Sequence, residues 1–116
     1  MTTLSLRKPI TIFENFYNLL NARDVESAMA LVADEALFAN ASGQFAGKGQ
    51  IQSFLQRLAD MGHQFKFSQV QEANGRVTMA YQVFRDGNMM DEGTDGLTII
   101  KDGKIVFDGL ERTEKQ

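Results

Sequence analysis

Two aspartates and one asparagine hold the positions in this sequence that best suit acid–base chemistry. Asp95 stands just before the mainly apolar stretch "LTII" (residues 97–100), Asp108 lies in the last apolar run, and Asn40 lies in "FANASG". A carboxyl group among apolar side chains keeps its proton to a higher pH than a free one, so it can exchange protons near neutrality. Asp95 is therefore either a solvated residue at a strand edge or an acid inside a pocket.

The composition excludes several other kinds of site. The chain has no cysteine, so it has no thiolate nucleophile and no sulfur-bound metal. With His63 as the single histidine, a metal site would need mainly carboxylates, and we predict neither a metal nor another cofactor. The net charge of -3 argues against nucleic-acid binding. No apolar run is long enough to cross a bilayer or to act as a signal peptide, so we expect a cytoplasmic protein.

The first half of the chain has the spacing of three helices. Pro9 suits a first helical turn, where its missing N–H costs nothing, and apolar residues then recur at helical intervals through Leu20. Asp24 can cap a second, short helix. A third helix carries an apolar stripe that begins at Ile51, and Gly62 ends it. Between the second and third helices, "ALFANASGQFAG" indicates a small hairpin.

The second half of the chain has the turn signals and spacing typical of long strands. Asn74–Gly75, Asp86–Gly87 and Asp102–Gly103 favour tight hairpin turns, because Asn, Asp and Gly tolerate the positive φ that such turns require. They divide this half into four strands of an antiparallel meander. We therefore predict one α+β domain over residues 1–116, in which three N-terminal helices cover a curved antiparallel sheet of four long strands plus the small hairpin.

The turns also predict which side chains share a face of the sheet. A two-residue turn at Asp102–Gly103 places Asp95 opposite Leu110 and Leu97 opposite Asp108. Asp95 and Asp108 then become diagonal neighbours about 7–8 Å apart at Cα. We expect burial and the like charge of Asp108 to raise the pKa of Asp95.

The turn at residues 86–88 decides whether the neighbouring strand joins that face. A three-residue turn pairs Arg85 with Met89 and Asp95 with Met79, whereas a two-residue turn reverses the assignment. With the three-residue turn, the same face also carries Val77, Met79, Tyr81 and Val83.

The opposite face of the sheet is also apolar. An antiparallel sheet in a monomer usually exposes one face to water, so a second apolar face indicates a partner. We expect a homodimer through this outer face. The residues assigned to that interface are Phe84, Ile100, Ile105 and Phe107.

With these elements in place, the sequence resembles a known superfamily. The stretches "FYNLLNARDVESAMALVADEALFANASGQFAGKGQIQSFL" and "TDGLTIIKDGKIVFDGL" are similar to the opening helices and the last two strands of its members. These members are nuclear transport factor two, ketosteroid isomerase and the SnoaL-like polyketide cyclases. The resemblance covers nearly the whole chain and implies a cone-shaped α+β fold, but this fold serves many unrelated chemistries.

The resemblance carries over only part of the known active sites. Where ketosteroid isomerase has its catalytic aspartate, this chain has Asn40. The first-helix tyrosine of ketosteroid isomerase falls on Phe16 of this chain. Only its second oxyanion donor, a neutral aspartic acid, falls on an acid here, Asp95. Steroid isomerisation by that mechanism is therefore not implied. The limonene epoxide hydrolase type resembles this chain at Asn40 and Asp95, which would position a water molecule, and Asp108 would be an additional acid.

Together these features predict a small hydrophobic ligand in the cone, with Asp95, Asn40 and Asp108 as the catalytic candidates. Isomerisation, cyclisation or hydration by carboxylate-assisted proton transfer is the expected chemistry. The alternative is a non-catalytic module that binds a ligand, interacts with another protein or dimerises. The side chains expected to contact the ligand are Phe16, Leu20, Phe38, Phe54, Met79, Tyr81, Leu97 and Leu110.

Overall fold

The computed structural model describes residues 8–114 and confirms the predicted α+β architecture. Residues 1–7 and 115–116, which the single-domain prediction includes, lie outside the described residues. The elements in chain order are α1 (Pro9–Asn21), α2 (Val25–Met29), β1 (Val32–Asn40), β2 (Gly43–Ala46), α3 (Gly47–Asp60), β3 (His63–Ala73), β4 (Arg76–Arg85), β5 (Asn88–Lys101), β6 (Lys104–Leu110) and α4 (Glu111–Glu114). The last of these, a single helical turn, was not predicted.

The six strands form one curved, open sheet in the order β2-β1-β6-β5-β4-β3. The sheet is mixed rather than purely antiparallel, because β1 lies parallel to β6 while every other neighbouring pair is antiparallel. The small hairpin β1–β2 therefore extends the meander sheet and does not form a separate layer.

The helices cover the inner face of this sheet with regularly spaced apolar stripes. Residues 12, 13, 16 and 20 of α1 and residues 51, 54, 55 and 59 of α3 are buried. This three-to-four-residue spacing places each set along one side of its helix. They pack on inward-facing strand residues such as Val32, Val77 and Ile105, each of which has no measurable exposure.

All three predicted Asx–Gly turns form, and each has two central residues. Both central residues of each turn have positive φ, at Asn74–Gly75, Asp86–Gly87 and Asp102–Gly103. The turn at Asp86–Gly87 pairs Arg85 with Asn88, so the three-residue turn expected there is wrong. Two left-handed residues in succession complete a primed turn without a third residue.

Bulges change the predicted register within the strands. The pairing of β5 with β6 shifts between Ile99 and Ile100, so that Thr98, and not Leu97, lies opposite Asp108. On the β4 side, the register shifts between Tyr81, which pairs with Gly93, and Met79, which pairs with Gly96. Because each extra residue reverses the alternation of side chains, these bulges invert the predicted faces in the middle of β5.

The bulges also correct the predicted dimer surface. Ile100 and Ile105 are 7% and 0% exposed and belong to the main core beneath the helices, so their assignment to the outer face is wrong. Phe107 lies in a separate outer cluster with Ala39 and Leu97, against partly buried Leu37 and Ile99. Phe84, which follows the cavity-facing Val83 on β4, is partly exposed, and a dimer through this face remains a prediction.

The short helix α4 folds back beside this outer cluster. Thr113 donates a hydrogen bond from Oγ1 to the carbonyl oxygen of Ala39 at 2.9 Å, and Arg76 forms an ion pair with Glu114. The end of the described chain is therefore attached to β1 and β4. Among residues 8–114, no helix has both the length and the apolar character needed to cross a bilayer.

A glycine allows the close parallel contact between β1 and β6. A methyl group added at Gly109 would overlap the carbonyl group of Ala39, which is backbone and cannot move aside easily. We expect Gly109→Ala to lower the free energy of unfolding by about 2–3 kcal/mol, measured by urea denaturation. Gly49→Ala is the control, because nothing lies near its added methyl group in α3 and stability should stay equal or rise slightly. Equal stability of the two variants would contradict the close contact.

Candidate active site

A buried carboxyl group on β6 is the centre of the candidate site. Asp108 is 8% exposed and accepts hydrogen bonds from two hydroxyl groups. The Tyr17 hydroxyl of α1 lies 2.8 Å from both carboxylate oxygens, and Thr98 Oγ1 of β5 donates to Oδ2 at 2.8 Å. The bulge in the β5–β6 pairing is what places Thr98 directly opposite Asp108. Three elements thus meet at one acid.

The surroundings of Asp108 shift its ionisation into the neutral range. Burial raises the pKa of the Asp108 carboxyl to about 7, although hydrogen bonds from Thr98 and Tyr17 act in the opposite direction by favouring the charged form. The pKa of the Tyr17 hydroxyl is raised well above its usual value, first by burial and then by the negative charge of Asp108. Tyr17 therefore stays protonated as a donor while Asp108 can gain or lose a proton near pH 7.

Asp108 faces a cavity of about 490 Å³, within the range of small-molecule sites. Its wall exposes more apolar than polar surface, although many of the lining residues are polar. The apolar and aromatic lining residues are Leu58, Phe65, Phe67, Met79, Val83, Met90 and Leu110, and the polar ones include Tyr17, Asn40, His63, Tyr81, Asp91, Thr98 and Asp108. Such a surface suits an organic molecule with a large apolar part and few polar atoms.

Aromatic packing fixes the position of Tyr17 in this wall. Its ring centroid lies 4.6 Å from that of Phe67 and 5.3 Å from that of Phe65, both in edge-to-face contact. The last turn of α1 is also tied to β3, because Asn21 donates from Nδ2 to the Phe65 carbonyl and accepts from the Phe65 N–H. The helix cannot rotate without breaking these contacts, so the Tyr17 hydroxyl is held at Asp108.

Asp95 does not lie on the floor of the cavity, contrary to the predicted register. The bulges put Gly96 opposite both Met79 and Leu110, so Asp95 points to the other side of the sheet. There it forms an ion pair with Arg112, and the two side chains are 29% and 65% exposed. The burial among apolar side chains that was expected for Asp95 is therefore wrong.

Asn40 lies at the cavity edge and also stabilises a turn. Its Oδ1 accepts a hydrogen bond from the Ser42 N–H at 2.9 Å, which is the local role expected of "NASG". Its side chain nevertheless lines the cavity together with Ala41 and Ser42. The turn holds Oδ1, so Nδ2 is the part of this side chain suited to a ligand.

The predicted ligand contacts divide into two groups. Those that line the cavity are Met79, Tyr81 and Leu110. Those placed elsewhere are Phe16, Leu20, Phe38 and Phe54, which belong to the main core, and Leu97, which belongs to the outer cluster. Phe16, Leu20 and Phe54 lie in the core because the apolar stripes of α1 and α3 face the sheet itself. Phe38 of β1 packs against Phe16 there, and Leu97 lies in the outer cluster because of the bulge beside it.

Tyr17 and Thr98 are the functional candidates that sequence reasoning missed. Phe16, the residue aligned with the family's tyrosine, is fully buried, whereas Tyr17 beside it reaches the cavity. A hydroxyl group within an apolar helical stripe was the available signal, because a buried tyrosine needs a polar partner. Thr98 had no comparable signal, since its face depends on the bulge.

The comparisons with known proteins identify the family. The model of the SnoaL-like domain matches residues 13–107, and the chain therefore belongs to this family. No curated protein sequence matches the chain. Among residues 8–114, no group of three or more histidine and acidic side chains is placed to hold a metal ion.

Solved structures show the same fold at low sequence identity. An NTF2-like protein of unknown function from Cytophaga hutchinsonii superposes with a TM-score of 0.77 at 15% identity, covering 94% of this chain and 96% of the other. An LEH-like epoxide hydrolase from M. tuberculosis gives a TM-score of 0.72 at 18% identity, covering 90% and 84%. An NTF2-like protein of unknown function from Mesorhizobium loti gives 0.73 at 23% identity, covering 87% of each chain. At these identities the similarity establishes the fold alone.

The raised pKa of Asp108 makes stability depend on pH in a predictable direction. Between pH about 4 and 7, an unfolded chain loses the Asp108 proton that the folded chain keeps, so rising pH favours unfolding. Across this window the free energy of unfolding of wild type should fall by roughly 4 kcal/mol relative to that of Asp108→Asn, whose side chain cannot ionise. Urea denaturation of both proteins from pH 4 to 8 measures the difference. If the free energy of unfolding of the two proteins changed with pH in the same way, Asp108 would ionise as a free carboxyl group does, contrary to this prediction.

Proposed function

We propose that this protein is an acid–base enzyme that acts on a small, largely apolar carbonyl compound, with Asp108 as the proton-transfer group. The observation that carries the proposal is one carboxyl group, ionising near pH 7, which faces an apolar cavity beside a tyrosine hydroxyl. A general base works best when its pKa is near the working pH.

The proposed step is removal of a proton from the carbon next to the carbonyl group. The ionised Asp108 carboxylate takes this proton, the C–H electron pair forms a carbon–carbon double bond, and the carbonyl π pair moves to oxygen. Return of the proton to the same carbon gives exchange, and return to a conjugated carbon gives isomerisation. The balance needs no oxidant or second reactant.

Tyr17 can respond to this transfer because its hydroxyl is shared with Asp108. In the ionised site the Tyr17 O–H points to both oxygens of the carboxylate. Once Asp108 is protonated, its own O–H can donate to the Tyr17 oxygen, which frees the Tyr17 hydrogen for the enolate oxygen. Thr98 continues to orient the carboxyl group through Oδ2. Proton removal and oxyanion stabilisation are thereby linked within one pair of side chains.

The rival function is a binding module without catalysis. The fold is compatible with it, because SnoaL-like and NTF2-like scaffolds serve unrelated activities. A buried carboxyl group favours the enzyme, since a site that only held an apolar ligand would gain nothing from the cost of burying an ionisable acid. Turnover by wild type and its loss on removal of the acid distinguish the two functions.

Hydrogen exchange in a simple ketone tests the proposed step. We expect wild type to catalyse deuterium incorporation next to the carbonyl of 4-phenylcyclohexanone in D₂O, followed by NMR. The rate should rise with pH and level off above about 7, because the base is ionised Asp108. Asp108→Asn should lower it by about 10²–10⁴-fold.

Two variants control this experiment. Thr98→Val removes a donor to the ionised carboxylate, so it should shift the pH–rate profile to higher pH. Asp95→Asn changes only a surface ion pair and should leave rate and profile unchanged. Equal rates in wild type and Asp108→Asn, or loss of activity on Asp95→Asn, would contradict the proposed role of Asp108.

A further inference from the structure

The acidic side chains of the cavity wall outnumber the basic ones. Asp91 of β5 and Asp108 of β6 both line the cavity, whereas no lysine or arginine among residues 8–114 does so. A cleft whose charges share one sign, with apolar walls around them, concentrates its field on a bound ligand. The cavity therefore disfavours an anionic ligand and favours a cationic one.

The Asp91 carboxylate is free to meet such a ligand. It is exposed while lining the cavity, which places it at the cavity mouth. Its Oδ1 accepts a hydrogen bond from the Glu92 N–H at 2.9 Å, and the ion pairs among residues 8–114 do not include Asp91. The next residue, Glu92, pairs with Gln82 and lines a separate surface hollow instead.

The basic side chains near the mouth are directed elsewhere. Arg112 is paired with Asp95, and Arg85 approaches the Met61 sulfur at 3.9 Å. Neither arginine lines the cavity. His63 does line it, but its Nδ1 is buried. A cation that enters the mouth therefore meets the Asp91 carboxylate as its charged partner.

An aromatic ring lies beside Asp91. Gly93, two residues further along β5, pairs with Tyr81 of β4, and a methyl group added at Gly93 would overlap the Tyr81 ring and hydroxyl. The ring therefore lies across β5 next to Asp91. Burial raises the pKa of the Tyr81 hydroxyl, and the negative charge of Asp91 raises it further. An aromatic ring and a carboxylate both attract an ammonium group.

The separation of the two acids requires an elongated ligand. On β4, Val77 pairs with Thr98, which lies opposite Asp108, and Val83 pairs with Asp91. The strand from Val77 to Val83 covers roughly 20 Å, so Asp91 and Asp108 lie at opposite ends of the cavity. A ligand that reaches both must be long and narrow.

The neutral polar groups Asn40 and Ser42 belong to the Asp108 end. Asn40 lies two residues beyond Phe38, which pairs with Asp108 across β1 and β6, and Ser42 is in the turn that Asn40 closes. These groups can hydrogen bond to an uncharged oxygen of the ligand, but they carry no charge that could balance a cation. The charged end of the ligand is therefore expected at Asp91.

We propose that the natural substrate is an elongated amino ketone, whose carbonyl group binds at Asp108 and Tyr17 and whose ammonium group binds at the cavity mouth between the Asp91 carboxylate and the Tyr81 ring. This inference rests on the proposed function, because it extends the substrate of the same site. Asp91 then determines specificity for charge and takes no part in proton transfer.

Two ketones of equal shape test the inference. One is 4-{4-[2-(trimethylammonio)ethyl]phenyl}cyclohexanone, and the other is 4-[4-(3,3-dimethylbutyl)phenyl]cyclohexanone, in which a carbon atom replaces the charged nitrogen. We expect Asp91→Asn to weaken binding of the ammonium compound roughly three- to tenfold, by calorimetry, and to leave binding of the neutral compound unchanged. The loss should shrink at high salt, because the pair is exposed.

Matched variants separate this site from a general effect of charge. Glu92→Gln removes the same charge one residue away, on the side of the separate hollow, and should leave binding of both ketones unchanged. Tyr81→Phe keeps the ring and should preserve the ratio of the two affinities, whereas Tyr81→Leu removes the ring and should lower the relative affinity for the ammonium compound.

Deuterium exchange in the same two ketones distinguishes this inference from the proposed function. Unchanged binding of the ammonium compound by Asp91→Asn, or an equal loss in Glu92→Gln, would overturn the inference, while exchange that depends on Asp108 would leave the proposed function intact. Charge-dependent binding at Asp91 without exchange would overturn the proposed function and leave the ammonium site. Binding of neither ketone would overturn both.

Discussion

The contact of the Asp108 carboxyl group with the hydroxyl groups of Tyr17 and Thr98 is the interaction on which the site depends. It joins α1 to the two central strands β5 and β6, and it does so inside an apolar interior. Burial disfavours the charged carboxylate, whereas the two hydrogen-bond donors favour it. Burial is the larger effect, so the pKa of Asp108 is raised to about 7. Because burying a charge costs free energy, we expect the ionised form of Asp108 to lower the stability of the fold.

The sequence predicted the elements well because their signals are local. Helix stripes, the proline at the start of α1 and three Asx–Gly turns each act over a few residues, and all are found where expected. The bulges could not be predicted in the same way. The bulge of β5 opposite β4 lies between Gly93 and Gly96, and a glycine inside a strand is compatible with a bulge without fixing its position. The shift between Ile99 and Ile100 has no such signal.

One such shift has a large effect on the interpretation of the site. Because of this shift, Gly96 and Thr98 face the cavity in place of Asp95 and Leu97. Asp95, which was expected at the centre of the site, instead pairs with Arg112 on the other side of the sheet. Asp108 keeps its inward direction. Family alignment failed similarly at α1, where Phe16 occupies the aligned position but Tyr17 faces the cavity. Residue roles in this fold therefore follow from geometry more reliably than from aligned position.

The cavity combines one titrating acid, Asp108, with a wall that carries many apolar side chains. The most direct test of the central claim is a ¹³C NMR titration of the side-chain carboxyl groups, with the Asp108 signal assigned by its absence in Asp108→Asn. A midpoint near pH 7 is the predicted result, because burial outweighs the hydrogen bonds from Tyr17 and Thr98. A midpoint near that of free aspartate, about 3.9, would contradict it.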